Sequence, residues 1–331
     1  MDLFFAADTS NYTTSAAVYH LESNTVFHSK RLLPVREGEK GIRQSDAVFH
    51  HTQQLPEMVH SVMEKAAAQF ENPKFAAAGA SVQPRRQKDS YMPCFLVGTA
   101  NAGNYSNLNG IPFYAFSHQE GHVAAALYSA DKLSLVGQDF LAFHVSGGTT
   151  ESLFVHAGKH SPLETDIVGT STDLKAGMAI DRVGLMLGLK FPAGPELEKL
   201  ALQSEKEFQI HPSVRGMDCS LSGVENQCHA LMDKGTPRED IAKYCLRYIE
   251  ASLRSMAKNL MSQYPGLPIV FSGGVMSNSL IRTDFTEEFD AAFAKPEFSA
   301  DNAAGVAVLT ALAYDGGFSP ADPVKICAAR K

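Results

Sequence analysis

The sequence is poor in cysteine and contains none of the close cysteine pairs that bind structural zinc. It has five cysteines, an odd number, and no Cys-x-x-Cys spacing. These features argue against a zinc ribbon and against a disulfide framework, and they favour reduced thiols. We therefore expect a cytoplasmic protein.

Long apolar runs and an excess of positive charge are also missing. No apolar run reaches the roughly 18 residues of a membrane span, and the first residues lack the features of a signal peptide, so we predict no membrane contact. The formal net charge is −7, and the chain as a whole would repel nucleic acid. Contact with RNA would need a partner subunit or a local patch such as Arg85, Arg86 and Lys88. A solvated loop is the alternative interpretation of this cluster.

Two common nucleotide-binding signatures are absent as well. The chain has neither the Gly-x-Gly-x-x-Gly spacing of dinucleotide-binding folds nor the Gly-Lys-Ser/Thr of a Walker motif, so both classes are excluded. What is present is 331 residues with 44% hydrophobic content, which suffices for two packed domains.

A histidine-containing segment, Ser117 to His122, carries the clearest functional signal. Ser117 followed by Glu120 is a capping-box pattern, which predicts that a helix starts here. At about 100° per residue, His118 and His122 lie on one face of that helix, one turn apart. Two imidazoles so placed can share a divalent metal, whereas the alternative is a pair of helix histidines without a ligand.

The acidic residues near this pair have two interpretations each. Glu120 lies about 200° around the helix from His118, so it points away from a metal on that face and is a poor candidate for the base of a metalloprotease. Asp301, which opens the last predicted helix, is either a helix-start carboxylate or a third metal ligand. Two imidazoles and a carboxylate suit zinc, iron or manganese, and magnesium is a further candidate.

Two stretches repeat the design of a strand, a small-residue turn and a returning strand. The first strand ends in a hydroxyl-rich turn over 8–15, where Ser10 is a candidate phosphate-binding residue. The second, over 140–145, runs into Ser146-Gly147-Gly148-Thr149, whose glycines permit close backbone approach. Ordinary hairpins are the alternative for both. The recurrence suggests an internal duplication with a ligand held between the halves.

A third glycine turn follows the predicted strand 268–271. Gly273 and Gly274 come directly after it, and a helix is predicted to start near Asn278. Helix N-terminal amides beside glycines form a ready nucleotide or phosphate site. Between the second and third turns, residues 169–188 are predicted to form a helix.

With these motifs located, the chain resembles the tRNA threonylcarbamoyladenosine synthase transferase family, also called the glycoprotease or M22 family. The resemblance covers nearly the whole length. It rests on collinear motifs that begin with Asp8-Thr9-Ser10, His118-Gln119-Glu120-Gly121-His122 and Val145-Ser146-Gly147-Gly148-Thr149-Thr150, and that continue with Gly177 to Arg182, Phe191 to Pro195, Ser220 to Gly223, Ser272 to Val275 with Asn278, and Asp301-Asn302-Ala303.

The resemblance implies a metal held by His118, His122 and Asp301. It implies an adenylate pocket that contains Ser146, Gly147, Gly148, Asp181, Gly194, Gly274 and Asn278. Asp8, Ser146 and Thr149 are the candidate catalytic residues. In the family, a threonylcarbamoyl adenylate made with ATP donates its carbamoyl carbon to N6 of an adenosine in tRNA and releases AMP.

Several positions depart from the family pattern. Tyr12 and Thr13 stand where the family usually carries two acidic residues, Thr149 replaces a common histidine, and Met178 replaces an expected acidic residue. A glycine-rich loop is replaced by the basic stretch 85–88. These changes are compatible with a divergent paralogue.

The resemblance implies an α/β protein of the actin-like ATPase fold, with two duplicated RNase H-like domains and a cleft between them. We expect a first domain over 1–135, to which the final helix 303–331 returns, and a second over 136–302. The predicted function is metal-dependent threonylcarbamoyl transfer to tRNA. The alternatives are a nucleotide-binding or partner-binding protein without this chemistry, a metalloprotease and a sugar kinase. A smaller homologous partner with an ATPase, or a homodimer, is expected to bind the helical region 45–68.

Overall fold

The computed structural model describes residues 2–10, 12–34, 42–87, 90–298 and 303–329. The strands are β1 Asp2–Ser10, β2 Thr13–His20, β3 Thr25–Leu32, β4 Lys74–Gln83, β5 Phe113–Ser117, β6 Phe140–Val145, β7 Thr150–His156, β8 Glu164–Thr170, β9 Ser213–Arg215, β10 Asp218–Ser220, β11 Ile269–Ser272 and β12 Ala292–Phe293. The helices are α1 Gln44–Gln69, α2 Phe95–Asn109, α3 His118–Ser129, α4 Ala176–Met186, α5 Gly194–Ala201, α6 Ser222–Asp233, α7 Arg238–Gln263, α8 Ser279–Phe289, α9 Ala303–Asp315 and α10 Pro323–Ala329. Within the described ranges, no helix combines the length and the apolar character needed to cross a membrane.

The chain divides into two compact units. The first comprises Met1–Gly137, His156–Thr165 and Ala300–Lys331, and the second comprises Gln138–Val155 and Asp166–Ser299. The sequence predicts a domain boundary between residues 135 and 136. In the structure the units divide after Gly137, and the segment His156–Thr165, from the end of β7 to the start of β8, belongs to the first unit.

Each unit is built on a five-stranded mixed sheet, and the two sheets have the same strand order. The first sheet runs β3-β2-β1-β4-β5, and the second runs β8-β7-β6-β11-β12. In each, the first two strands of the unit pair antiparallel, and the fourth and fifth strands add in parallel. The identical strand order, with matching directions for these four strands of each sheet, confirms the internal duplication that the repeated strand-turn-strand design predicts.

The core of the first unit follows from a buried central strand and one amphipathic helix. Residues 3–10 of β1 are all buried, as expected for a strand covered on both faces. Helix α1 is a single helix that runs through Pro56. It buries one side chain per turn along one face, namely Ala47, His51, Leu55, Met58, Val62 and Ala66.

The last long helix, α9, packs against the first sheet and closely against α3. A Cβ atom at Gly305 would overlap the backbone carbonyl oxygen of Gly121 and lie 2.6 Å from the backbone nitrogen of Ala125. Glycine is therefore required where the two helices cross. This contact brings the first turn of α9 beside the residue that precedes His122.

The second unit corrects one helix prediction. A helix is expected over 169–188, but β8 continues to Thr170 and α4 begins only at Ala176. The carboxylate of Asp173 accepts hydrogen bonds from a segment nearly 50 residues further on, through Ser220 Oγ at 2.6 Å, Leu221 N at 2.8 Å and Ser222 Oγ at 2.5 Å. These tertiary contacts hold the loop before α4 in a non-helical conformation.

Candidate metal centre and nucleotide site

The histidine helix begins where the sequence predicts. Ser117 is the N-cap of α3, and its Oγ accepts a hydrogen bond from the backbone N–H of Glu120 at 3.2 Å. In return, Glu120 Oε2 accepts from the backbone N–H of Ser117 at 2.5 Å, which completes the capping box. The rings of His118 and His122 lie side by side, with centroids 4.7 Å apart.

Asp8, at the end of β1, contacts the first of these histidines. Its Oδ2 lies 2.9 Å from His118 Nδ1, and the carboxylate is almost fully buried. The backbone N–H of Ser10 donates to the other oxygen at 2.9 Å. Burial by itself would raise the pKa of Asp8, but the positive charge and hydrogen bond of His118 and the hydrogen bond from Ser10 outweigh it, and the pKa is lowered.

This contact fits a metal site. An ionised carboxylate has no proton to give, so His118 Nδ1 must be the donor, and the ring would bind a metal through Nε2. A carboxylate behind a ligating histidine is the usual way in which proteins fix its tautomer and orientation. The ring of Phe95 packs edge-on against His118, at a centroid distance of 5.9 Å, and further restricts the imidazole.

The third predicted ligand, Asp301, lies outside the described residues. Among the residues that are described, no group of three His, Cys, Asp or Glu side chains is arranged to hold a metal ion. A metal on His118 and His122 would therefore need a third such ligand from outside the described residues. Asp301 precedes α9 by two residues in the sequence, and the first turn of α9 contacts the backbone of α3 beside His122.

An ion pair between Glu120 and Arg86 bears on two predictions, the metalloprotease alternative and the basic patch. Glu120 is fully buried and forms a two-point ion pair with Arg86, through Nε to Oε1 at 3.0 Å and Nη2 to Oε2 at 3.1 Å. Glu120 thus serves the cap and not as a base. Arg86 is paired with Glu120 in this structure, and its place in a tRNA-binding basic patch stays a prediction. Lys88 lies outside the described residues.

The sequence reasoning missed His51, a fully buried residue of α1 near Asp8. Gln54 Nε2 donates to the Leu32 carbonyl oxygen at 3.3 Å, so Gln54 Oε1 accepts the single hydroxyl proton of Thr14 at 2.8 Å. His51 Nδ1, 2.8 Å from Thr14 Oγ1, must then be the donor of that hydrogen bond.

When the His51 imidazole is neutral, its proton is therefore on Nδ1 and its Nε2 is unprotonated. Its Nε2 is buried and has no hydrogen-bond partner within the part of the chain that the structure describes. Burial lowers the pKa of His51 to about 4, although the charge of Asp8 and the backbone of Ser10 oppose the shift. A polar residue on the otherwise apolar face of α1 was the available signal in the sequence.

In the second unit, the turn after β6 has the compact geometry that its glycines permit. The backbone N–H of Ser146 donates to the Thr149 carbonyl oxygen at 2.7 Å. Gly147 and Gly148 are exposed, and no atom lies within 4 Å of where their Cβ atoms would be. The backbone of this turn is therefore open to a ligand.

Helix α4 starts directly against this turn. The backbone N–H of Ala176 donates to Thr150 Oγ1 at 2.9 Å, and that of Gly177 donates to the Ser146 carbonyl oxygen at 3.2 Å. A Cβ atom at Gly177 would lie 2.6 Å from Gly147 Cα, so only glycine allows the helix to approach so closely. The positive end of the α4 dipole thus faces the turn.

The remaining predicted adenylate residues lie along α4 or beside it. Asp181, one turn further along the helix, accepts from the backbone N–H of Ala193 at 2.8 Å, just before Gly194 opens α5. Burial raises the pKa of Asp181, although that hydrogen bond opposes the shift. Asn278 caps α8 through Oδ1, which accepts from the backbone N–H groups of Leu280 and Ile281 at 3.1 and 3.3 Å.

The structure therefore brings the predicted site residues together in two groups, one in each unit. Asp8, Ser10, His118 and His122 belong to the first group. The second group contains Ser146, Gly147, Gly148, Thr149, Asp181, Gly194, Gly274 and Asn278. The backbone N–H of Ser10 is used by Asp8, so its role as a phosphate ligand is limited to the side chain.

Comparison of the sequence with known families gives one consistent result. The profile of the family described as TsaD, tRNA N6-adenosine threonylcarbamoyltransferase, matches residues 23–308. The tRNA N6-adenosine threonylcarbamoyltransferase of Oenococcus oeni is 26% identical over 337 residues, which cover 97% of this chain and 95% of the relative. The enzyme of the same description from Thermus thermophilus is 28% identical over 291 residues, which cover 86% of this chain and 85% of the relative.

Solved structures that resemble the chain share its fold at low sequence identity. HypF from T. kodakarensis superimposes with a TM-score of 0.62 at 13% identity, over 97% of this chain and 48% of HypF. Component A of (R)-2-hydroxyglutaryl-CoA dehydratase from Acidaminococcus fermentans superimposes with a TM-score of 0.55 at 14% identity, over 96% of this chain and 100% of component A. The predicted actin-like ATPase fold is confirmed. Together with the family profile and the collinear motifs, these findings show that the chain belongs to the tRNA N6-adenosine threonylcarbamoyltransferase family.

Proposed function

We propose that this protein transfers a threonylcarbamoyl group from an adenylate to N6 of an adenosine in tRNA. The observation that carries the proposal is the contact of Asp8 with His118 beside His122, since it supplies an oriented histidine pair of the kind that binds a catalytic metal. Family membership supports the same reaction. The fold alone would not, because unrelated chemistries share it.

In the proposed reaction, the lone pair of the adenosine N6 amine attacks the carbamoyl carbon of the adenylate. A new N–C bond forms, the C–O bond to the phosphate breaks, and AMP leaves with that oxygen and its electron pair. The amine loses one proton to solvent or to a nearby base. No oxidant or reductant is required.

Residues of the first unit would hold and orient the metal ligands. Asp8 keeps the proton of His118 on Nδ1, so that Nε2 is directed to the ligating position, and we propose Asp301 as the third ligand. A divalent metal bound here would act as a Lewis acid toward the carbamoyl and phosphate oxygens. Asp8 is thereby a positioning residue, which refines its prediction as a catalytic one.

Residues of the second unit would bind the adenylate. The exposed backbone of Gly147 and Gly148 and the start of α4 offer positive electrostatic potential to a phosphate. Asp181 has a carboxylate that can accept hydrogen bonds from ribose hydroxyls. Further contacts with the adenylate are predicted for Ser146, Thr149, Gly194, Gly274 and the Nδ2 amide of Asn278.

The direct test is turnover of threonylcarbamoyl adenylate with tRNA and added Zn²⁺ or Fe²⁺, followed by mass spectrometry of the digested nucleosides. We expect the His118→Ala variant to lose about 100-fold or more of the activity. His229→Ala, which changes an exposed histidine of α6, is the matched control and should retain it. Equal activity of wild type and His118→Ala would disprove the metal role.

A second function is favoured by Tyr12 and Thr13, which replace two acidic residues usual in the family. Tyr12 is 41% exposed, and Thr13 pairs with Leu32 across the sheet. A protein with these changes could bind an adenylate and a partner without transferring the group. Calorimetric binding of AMP or ATP without turnover on any tRNA would support this alternative.

The partners also stay proposals. We propose that tRNA is bound through the region of Arg85 or through a partner subunit, because the net charge is −7. A smaller homologous subunit, an ATPase or a second copy is proposed to bind α1, where Phe49 is 58% exposed. Size-exclusion chromatography of wild type and Phe49→Glu, with and without the candidate partner, tests this contact.

A further inference from the structure

The loop after β4 is joined to the start of α3 by an ion pair that the proposed reaction does not use. Arg86 is 27% exposed, whereas its partner Glu120 is fully buried. Two nearly parallel N–H···O hydrogen bonds, 3.0 and 3.1 Å long, join them. Such a two-point contact depends on the planar guanidinium and is directional as well as strong.

The same loop contacts the helix directly after His118, and the capping box fixes the residue before it. The backbone N–H of Gln119 donates to the Pro84 carbonyl oxygen at 3.1 Å. Glu120 holds the backbone of Ser117 through the capping box. His118 thus lies between two residues whose backbones are fixed, and one of the two fixing contacts depends on the Glu120 carboxylate.

We propose that Arg86 is a positioning residue for the histidine pair. By neutralising the buried Glu120 carboxylate, it holds the first turn of α3 and keeps His118 and His122 in the ligating arrangement. A buried carboxylate without a counter-charge is strongly unfavourable, so the first turn of α3 would rearrange without Arg86. The inference rests on the proposed metal site.

The test measures the affinity of the protein for Co²⁺, which replaces the native metal and absorbs visible light. The protein is titrated with Co²⁺, and the visible absorption of the bound ion is recorded. We expect Arg86→Gln to bind Co²⁺ about 10- to 100-fold more weakly than wild type, as is usual when a supporting contact of a ligand is removed. Arg86→Lys, which keeps the charge but loses the two-point geometry, should fall between them. Arg215→Gln, at an exposed arginine of the second unit, should bind as wild type does.

A compensating variant separates this role from a general loss of stability. The double variant Arg86→Gln/Glu120→Gln lacks the buried charge. We therefore expect it to bind Co²⁺ about tenfold more tightly than Arg86→Gln does. Thermal unfolding of the metal-free variants, followed by circular dichroism, verifies that each is folded. The double variant supplies a folded comparison even where Arg86→Gln is unstable.

Three results would overturn the proposal. The first is that Arg86→Gln binds Co²⁺ as tightly as wild type does. If this variant also binds tRNA more weakly, Arg86 is a tRNA contact. The double variant could bind no better than the single one, which would exclude the buried charge as the cause. Absence of Co²⁺ binding by wild type would disprove the metal site itself, and the role of Arg86 with it.

Discussion

The carboxylate of Asp8 connects the end of β1 to the histidine helix. It is buried, its pKa is lowered, and its Oδ2 lies 2.9 Å from His118 Nδ1. These properties are those of a group that stays ionised and holds an imidazole in one tautomer. Its substitution should therefore act through His118.

We expect Asp8→Asn to weaken Co²⁺ or Zn²⁺ binding by about 10- to 100-fold, because the amide no longer provides a charged acceptor behind His118. Titration with Co²⁺ measures the loss. Asp315→Asn, at an exposed position in the same unit, is the matched control. Unchanged affinity in Asp8→Asn would show that the carboxylate does not support the ligand.

His51 predicts a pH dependence of stability. Its folded pKa of about 4 lies below the ordinary value of 6.5, so between these values the unfolded state binds more protons than the folded state. Stability attributable to His51 therefore rises with pH from 4 to 6.5, by about 3 kcal/mol in all. It is lost when the pH falls through the same range.

Urea unfolding of wild type and His51→Phe between pH 4.5 and 7 tests this prediction. The free energy of unfolding of wild type should fall more steeply with decreasing pH than that of the variant. Other carboxylates and histidines titrate in both proteins, so the difference in slope isolates His51. Parallel curves would mean that folding does not lower the pKa of His51.

At the scale of elements, the crossing of α3 and α9 depends on the absence of a side chain at Gly305. We expect Gly305→Ala to lower the free energy of unfolding by about 1–3 kcal/mol, because the new methyl group meets the backbone of Gly121. Urea unfolding is the measurement. Gly223→Ala, in α6, is the control, since its Cβ would make only ordinary contacts with the Tyr248 hydroxyl at 3.7 Å and the Gln227 amide at 3.9 Å, and it should be neutral or slightly stabilising. A similar effect of both substitutions would contradict the tight crossing.

A helix boundary can be predicted from sequence when the contacts that determine it are local. The sequence predicts the first residue of α3 because Ser117 and Glu120 cap the helix locally. The start of α4 depends instead on Asp173, which is held by Ser220, Leu221 and Ser222, and local sequence does not indicate such contacts.

At the scale of the whole molecule, the two units have separate cores and separate groups of candidate ligands. We expect added Zn²⁺ to slow hydrogen exchange in α3 and added AMP to slow it in α4, each with little effect on the other helix. Zn²⁺ at 100 times its dissociation constant should stabilise the first unit by about 2.7 kcal/mol, and the gain should vanish in His122→Ala. Hydrogen exchange read by mass spectrometry measures both effects. Protection of α4 by Zn²⁺ alone would contradict this assignment.

The sequence by itself determined the duplicated α/β architecture, the capped histidine helix and the glycine turns, because each depends on residues close together in the chain. Only the tertiary structure decided that Asp8 contacts His118, that Arg86 forms an ion pair with Glu120, and that His51 is buried with a lowered pKa. These partners lie from about 35 to 110 residues apart in the sequence. Their contacts depend on strand order and helix packing, which bring the residues together. The histidine pair that spacing alone left open thus has an oriented ring and a fixed helix start, and its role as a metal site stays a proposal.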